Sequence, residues 1–456
     1  MEFKAEFHQL GKIEEAEITV KPLTVIAGEN GCGKSFATKS LYSLLGALNK
    51  DHVATLLAKV LRVVMLRTEQ FKDTLRHPSA VDRDFLQSLE ENIIPGLEKL
   101  HAQALMADFH LQKGLINNQA FSLEDVNKEI ADYIGQRESV KKMEKPLKVL
   151  KEIQRTLEAA KVTLESHTET VANGIAESLQ DNLKKNFQVS DLRTVLSTGG
   201  KGSAHIRIDG IGNMSISREG YLEFKFEAEG INEIQRLDHI IFIDSPVYLK
   251  IRRGLERRPY GFFPRRSADR YLTGYPQYID DLYQYLDSEY IDTPELDDVS
   301  QALQQLLAGK LVVGKSGEID YQEENGLKTP LALTAMGVSN IGLIELLIRN
   351  NIIKKGSFLI IDEPEAHLHP KWQVALMDVL YKIAQAGANV IVATHSIDMV
   401  KKVELLLQKE EDAENLIALN SMPFDRNNAA KTELEKAEQI LEQLSSPFYN
   451  MYMESL

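Results

Sequence analysis

Gly28-Glu29-Asn30-Gly31-Cys32-Gly33-Lys34-Ser35 follows a short apolar run rich in β-branched residues, Leu23-Thr24-Val25-Ile26-Ala27. It precedes residues 36–48, whose apolar side chains recur at helical spacing. Together these are the strand, glycine loop and helix of a phosphate-binding loop. Glycines let backbone N–H groups turn inward on phosphate oxygens with no Cβ in the way, and the loop leads into a helix N-terminus whose dipole favours anions. In this reading Gly28, Asn30, Gly31, Cys32, Gly33 and Phe36 line the nucleotide, Lys34 reaches the β- and γ-phosphates, and the Ser35 hydroxyl is a ligand of Mg2+. ATP and Mg2+ are the expected cofactors.

A distant stretch completes the site. Phe358-Leu359-Ile360-Ile361 is fully apolar and ends in Asp362-Glu363-Pro364. Two consecutive carboxylates at the C-terminal end of a buried strand are costly unless something uses them. Read as a Walker B motif, Asp362 holds Mg2+, directly or through water, and Glu363 orients and polarises the attacking water. A second apolar run, Val390-Ile391-Val392-Ala393, delivers Thr394-His395-Ser396, where the His395 imidazole can sense the γ-phosphate. A histidine merely hydrogen-bonded at a strand end is the plainer alternative. Lys34, Glu363 and His395 form the expected catalytic set. Such apolar runs, with an amphipathic helix predicted at 371–385 between them, suit parallel strands covered on both faces.

With 456 residues the chain is too long for one ordinary core, and 43% hydrophobic residues suffice for two or three units. A net charge of −14 excludes a protein that coats nucleic acid or acidic membrane over its whole surface, while leaving room for a local basic patch. Cys32 is the only cysteine, so no intrachain disulfide forms and a reducing compartment is expected. The start, Met1-Glu2-Phe3-Lys4-Ala5-Glu6, has no apolar signal region, and no stretch reaches the ~18 apolar residues of a membrane span. A soluble, cytoplasmic protein is expected.

Residues 2–20 alternate around Gly11 like a strand pair, and four units are predicted: 1–49 with the phosphate loop, a helical insertion at 50–188, a second α/β part at 189–420, and a tail at 421–456 with one helix at 432–444. Within the insertion, helices are predicted at 53–65, at 86–111, from Ser122, and from Pro146. Leu150, Leu157, Leu164 and Val171 fall seven apart there, which allows a short coiled-coil seam or a helix packed in its own lobe. Strands separated by Asp209-Gly210, Gly212-Asn213 and Glu219-Gly220 predict an antiparallel meander over 203–228, followed by a strand at 239–242. Arg252, Arg253, Arg257, Arg258, Arg265, Arg266 and Arg270 then cluster with Tyr260, Phe262 and Phe263, a composition suited to nucleic acid or an acidic partner. Arginines paired with the chain's own acids are the alternative. Helices at 279–286 and 296–307 and strands at 310–313 and 318–321 are expected next.

The phosphate loop, Asp362-Glu363-Pro364-Glu365-Ala366-His367-Leu368-His369-Pro370 and Ala393-Thr394-His395-Ser396 together resemble the ABC-class P-loop ATPases of the RecF, SMC and overcoming-lysogeny-defect type. The resemblance implies an α/β ABC-ATPase head, with an antiparallel β part and a parallel α/β core, interrupted by a mainly helical insertion. It also implies a head-to-head dimer with two ATP molecules at the interface, each touched by the signature motif of the other copy. Glu365 to His369 would be the D-loop along that interface; His367 and His369 as a metal pair is the alternative. The signature stretch, Leu333-Thr334-Ala335-Met336-Gly337-Val338-Ser339-Asn340, departs from the family pattern. Gly337, acting in trans, and the apolar helix after it fit, whereas Ala335 and Met336 lack the expected hydroxyl, which Thr334 or Ser339 would have to supply. The resemblance therefore implies ATP sandwiching with slow hydrolysis. The Q-loop position falls at Asp244 or Ser245.

Such heads without a Toprim nuclease domain are similar to those of bacterial anti-phage and toxin–antitoxin operons. The expected function is an ATP switch, dimeric or larger, that controls an effector from the same operon, a nuclease or toxin. The ~55 residues after Val400 are too few for a nuclease domain. A DNA-repair or DNA-end-binding ATPase is the second reading, supported by the arginines and opposed by the net acidity. A transporter subunit is the third.

Overall fold

The computed structural model of the chain describes residues 1–107, 109, 111–112, 122–197, 202–227, 231–245, 247–250, 275–287, 293–314, 317–424 and 431–454. The seven arginines at 252–270 lie outside them. Two compact units are present: Met1–Ala47 with Ser178–Leu456, and Leu48–Glu177. Among the described residues no helix is long and apolar enough to cross a membrane.

In the first unit, β1 (Phe3–Leu10) and β2 (Ile13–Val20) form the hairpin that the alternation predicts, with Gly11 at φ +57° in its turn. A Cβ at Gly11 would lie 2.5 Å from the Phe36 ring, so the position requires glycine for space as well as for backbone. β3 (Leu23–Ala27) is wholly buried and leads into the phosphate loop. β4 (Ala204–Ile208), β5 (Gly212–Ile216) and β6 (Leu222–Phe226) are the predicted meander, and they extend the hairpin into an antiparallel sheet of order β2-β1-β4-β5-β6.

Next in the chain come β7 (Ile240–Ile243), a small antiparallel sheet of β8 (Gly309–Val313), β9 (Ile319–Glu323) and β10 (Lys328–Pro330), and then β11 (Phe358–Asp362), β12 (Asn389–Thr394) and β13 (Ile417–Ser421). The second five-stranded sheet has the order β13-β3-β12-β11-β7, with every pair parallel. Its strands are buried almost throughout, as their mostly apolar sequences require. Parallel registry places the C-terminal ends of β3, β12, β11 and β7 along one edge: Ile26 pairs with Ala393, Ala393 with Asp362, and Ile361 with Ile243. The helix Pro370–Gln385 connects β11 to β12; Pro370 opens it, and His369 Nδ1 caps it by accepting from the Lys371 N–H at 3.2 Å.

The tail helix runs further than 432–444. It spans Glu433–Glu454 and passes through Pro447. Proline cannot donate to the carbonyl four residues back, but the Ser446 hydroxyl donates to that Gln443 carbonyl at 2.9 Å and replaces the missing bond. Pro447 therefore does not end the helix.

The second unit is helical. The predicted 86–111 helix divides into Ala80–Ser88, a wide π turn at Leu89–Ile93, and Ile94–Met106. The heptad seam also divides. Leu150, Leu157 and Leu164 are buried on the helix Glu144–Glu165, which packs against His52–Thr74 and Leu123–Arg137, while Val171 belongs to the next helix, His167–Asn186, after a break at Ser166. Leucines seven apart thus serve packing within the unit.

Asp82 anchors two of these helices. Its Oδ2 accepts from the Ser79 N–H at 2.8 Å in a capping box, and its Oδ1 accepts from Tyr133 Oη at 2.7 Å and Arg137 Nε at 2.8 Å. Burial alone would raise the Asp82 pKa, but the hydrogen bonds from Arg137, Ser79 and Tyr133 outweigh it and hold it at about 2, below the ordinary 3.8. A depressed carboxylate adds stability that is fully present above the ordinary pKa and is lost as pH falls through the folded one. Amide-exchange protection factors in Ala80–Ser88 and Leu123–Arg137, corrected for the intrinsic pH dependence of exchange, are therefore expected to fall between about pH 4 and pH 2 in the native chain and to change little over that window in Asp82→Asn. Equal pH dependence in the two proteins would contradict this assignment.

Candidate nucleotide-binding site

Gly28 leaves β3 with its N–H donating to the Thr394 carbonyl at the end of β12, 3.3 Å away. A Cβ at this position would stand 1.9 Å from the Met422 carbonyl oxygen just beyond β13, so only glycine fits between the two strand ends. Gly31 (φ +80°) and Gly33 (φ +107°) take backbone shapes open to glycine. Asn30 is exposed at the tip, Cys32 is partly buried, and Phe36 turns its ring onto Phe187, with centroids 4.7 Å apart.

The loop folds around Lys34, which is 4% exposed at the first position of its helix. Its Nζ donates to the carbonyls of Gly28 and Glu29, each at 2.8 Å, and a third contact reaches only the Cys32 sulfur at 3.9 Å. A buried ammonium with one weakly used proton is suited to a further anionic acceptor. Ser35 beside it is exposed.

Asp362 ends β11 and is buried, and its Oδ1 has no hydrogen-bond partner. Burial, with the charges of Glu363 and Asp244 adding, pushes its pKa up to about 6 against the Ser35 hydroxyl and the Lys39 ammonium, which favour the carboxylate. A buried carboxylate facing a serine hydroxyl across the end of the phosphate loop is a fitting seat for a hard divalent cation, whose oxygen ligands these are. Among the described residues no group of three or more His, Cys, Asp or Glu could hold a metal by itself. Phosphate and water would supply further oxygens.

Glu363 follows with φ +51°, a left-handed backbone for a residue other than glycine, while its N–H keeps the ladder bond to the Ala393 carbonyl at 2.8 Å. This turn lifts its side chain out of the sheet edge, where it is 44% exposed. His395, beyond β12, has its Nδ1 3.1 Å from Glu365 Oε1 and 3.9 Å from Glu363 Oε1. Glu365 is buried and accepts from Thr394 Oγ1 and from the His395 N–H, both at 2.7 Å, while Ser396 caps the next helix by accepting from the Met399 N–H. Each member of Thr-His-Ser thus has a defined task, and Glu365 is an anchor that the D-loop reading did not single out. Lys34, Ser35, Asp362, Glu363 and His395, dispersed through the sequence, meet at one sheet edge.

Gly337 lies in the first turn of the helix Met336–Arg349. That helix has no side-chain N-cap; Ala335 precedes it, and Leu333 is 77% exposed. Neither proposed substitute hydroxyl is free: Thr334 Oγ1 and Ser339 Oγ stand 3.1 Å apart, Ser339 is fully buried, and their two protons are divided between that contact and the Leu331 and Ala335 carbonyls. A Cβ at Gly337 would meet the His367 carbonyl at 2.9 Å and Leu368 Cδ2 at 3.0 Å. Gly337→Val is therefore expected to displace the 365–369 turn and lower stability by about 1–3 kcal/mol, read as a shift of the urea midpoint; an unchanged midpoint would contradict the packing.

Asp244 follows β7 and accepts from Tyr278 Oη at 2.5 Å. Burial first, then the charge of Asp244, pushes the Tyr278 phenol well above its ordinary range. Nothing in the local sequence around Tyr278 signals this contact, because it joins residues 34 positions apart.

Residues 218–399 match the family model described as "AAA domain, putative AbiEii toxin, Type IV TA system". No curated protein matches the sequence. Among solved structures, the Smc head domain with an extended coiled coil bound to the C-terminal domain of ScpA, from Pyrococcus furiosus, is similar at 12% identity over 97% of this chain and 98% of that one, with a TM-score of 0.39. The SMC head domain from Thermotoga maritima is similar at 10% identity over 88% and 92%, with a TM-score of 0.35. Both are loose likenesses. The phosphate loop, the paired carboxylates after β11 and the parallel order β13-β3-β12-β11-β7 alongside an antiparallel sheet are those of a P-loop nucleotide-binding fold, and over residues 218–399 the chain is similar to the AbiEii-type AAA domain.

Proposed function

We propose that the chain is an ATP-driven switch. ATP and Mg2+ bound by Lys34, Ser35 and Asp362 of one copy are closed over by the helix start at Gly337 of a second copy, and the closed dimer controls a separate effector protein, a nuclease or toxin. The observation that carries this reading is the meeting, at one sheet edge, of a buried ammonium with a weakly used proton and a buried carboxylate oxygen with no partner. The matched family's description, which names a toxin and a toxin–antitoxin system, supports the effector setting; a cytoplasmic, anti-phage role is part of the same proposal.

Mg2+, when bound, supplies neutralisation of charge on the β- and γ-phosphates. The chain's own residues do the rest. Lys34 Nζ exchanges the Gly28 and Glu29 carbonyls for phosphate oxygens, and backbone N–H groups of the loop complete the cradle. The exposed Glu363 carboxylate holds the attacking water and takes its proton, while His395, fixed at its backbone N–H by Glu365, contacts the γ-phosphate. Only backbone N–H groups are available at the Met336–Arg349 helix start, because the Thr334 and Ser339 hydroxyls satisfy each other. Turnover is therefore slow, and binding is the main switch. The helical unit Leu48–Glu177 is the surface for the effector.

The test is purification of Glu363→Gln from its native host with ATP present, with identification of what accompanies it. A stoichiometric protein, lost when ATP is replaced by ADP, supports the switch. Nuclease-sensitive DNA with no protein partner overturns it in favour of a DNA-end-binding ATPase.

A further inference from the structure

We propose that Tyr278 is a positioning residue of the cation site: its hydroxyl fixes the Asp244 carboxylate beside Asp362, so that adjacent strand ends present two oriented carboxylates to a nucleotide-bound Mg2+. The proposal rests on the nucleotide reading above and deepens it.

β7 and β11 are parallel neighbours with Ile243 opposite Ile361, so Asp244 and Asp362 are the next residues on the two strands. Asp244 is 17% exposed and both its oxygens are engaged. Oδ1 accepts from the Ser245 N–H at 2.6 Å, and Oδ2 accepts from Tyr278 Oη at 2.5 Å. Lys39 Nζ stands 3.9 Å from the same Oδ2. Lys39 is four residues after Ser35 on one helix, so the two side chains share a face, and Asp244 is drawn toward the side on which Ser35 lies. Tyr278 itself cannot swing away. Its ring is 1% exposed, packed on Phe242 with centroids 4.7 Å apart and edge-on to Tyr42 at 6.1 Å, with Lys39 Nζ 5.5 Å from its centroid. A phenol held this firmly donates in one direction and fixes one rotamer of the carboxylate, as outer partners of metal ligands do.

A purely structural bond, pinning the helix Gln277–Asp287 to the sheet, would affect melting but not metal dependence. The experiment is therefore Mg2+ titration of a fluorescent mant-ATP complex in the full chain, with Mn2+ electron paramagnetic resonance as the second readout. Tyr278→Phe is expected to raise the Mg2+ concentration for half-saturation about tenfold and to leave the metal-free affinity in EDTA unchanged. Asp244→Asn is expected to give at least as large a shift, and the double variant none beyond that of Asp244→Asn. A wild-type Mg2+ midpoint in folded Tyr278→Phe overturns the proposal; should that variant not fold, an unshifted midpoint in Asp244→Asn does so. Wild-type protein that binds no mant-ATP would overturn the nucleotide reading itself.

Discussion

Lys34→Ala is expected to weaken ATP binding by about 30- to 5,000-fold, the loss that follows from removing a buried charged partner worth roughly 2–5 kcal/mol. The size follows from where Lys34 sits. At 4% exposure its ammonium has already left bulk water, so the folded chain bears that cost before any nucleotide arrives. Two loop carbonyls compensate it in part, and a phosphate oxygen would replace neutral acceptors with a charged one. Alanine removes the attraction and also leaves the Gly28 and Glu29 carbonyls without the donor that holds the loop closed before nucleotide arrives. The loop is then less ordered in the shape that aims its N–H groups inward. Lys34→Arg should not rescue binding, because a planar fork cannot occupy the space of a single ammonium enclosed by its own loop. Calorimetric titration with ATP checks both variants. An affinity within a few-fold of wild type in Lys34→Ala would show that this loop does not bind phosphate through its lysine.

The parts of this site that were legible in the sequence are those written in consecutive residues. Glycine spacing and a following lysine define the phosphate loop locally, and β3, β11 and β12 read as strands because both faces are covered and their interiors are apolar except for Thr24. The carboxylate pair at Asp362 and Glu363 stood out because charge at the end of an apolar run is costly. What could not be read depends on pairing between distant residues. The strand β13 was not anticipated, although its neighbour Met422 sets the space around Gly28. The contacts of Tyr278 with Asp244, and of Tyr42 with Asp281 at a separation of 239 residues, carry no local signal. The helix break at Ser166 was invisible because leucine spacing runs through it unchanged. Thr334 and Ser339 each suited the signature hydroxyl until their mutual bond removed both.

Glu363→Gln is expected to retain ATP binding and to lower the rate of phosphate release by about 10²–10⁴-fold, the range for losing a positioned general base. Glutamine keeps the shape and the exposed, left-handed backbone position of Glu363 but cannot accept the proton of water. Its effect on binding has a sign that can be worked out from the neighbouring group. The Glu363 charge is one of the causes that raise the Asp362 pKa, so removing it favours the ionised Asp362 that a cation needs. Affinity for ATP with Mg2+ should therefore stay the same or tighten while hydrolysis falls. Asp362→Asn behaves oppositely, losing the metal-dependent part of binding while keeping what Lys34 and the loop provide. If closure of two heads follows binding and opening follows hydrolysis, Glu363→Gln accumulates as an ATP-dependent dimer that wild type forms only transiently. Single-turnover phosphate release measures the first effect, and sedimentation with and without ATP the second. A rate within a few-fold of wild type would remove Glu363 from the role of base. A slow rate without dimer accumulation would keep the ATPase chemistry and discard the two-headed switch.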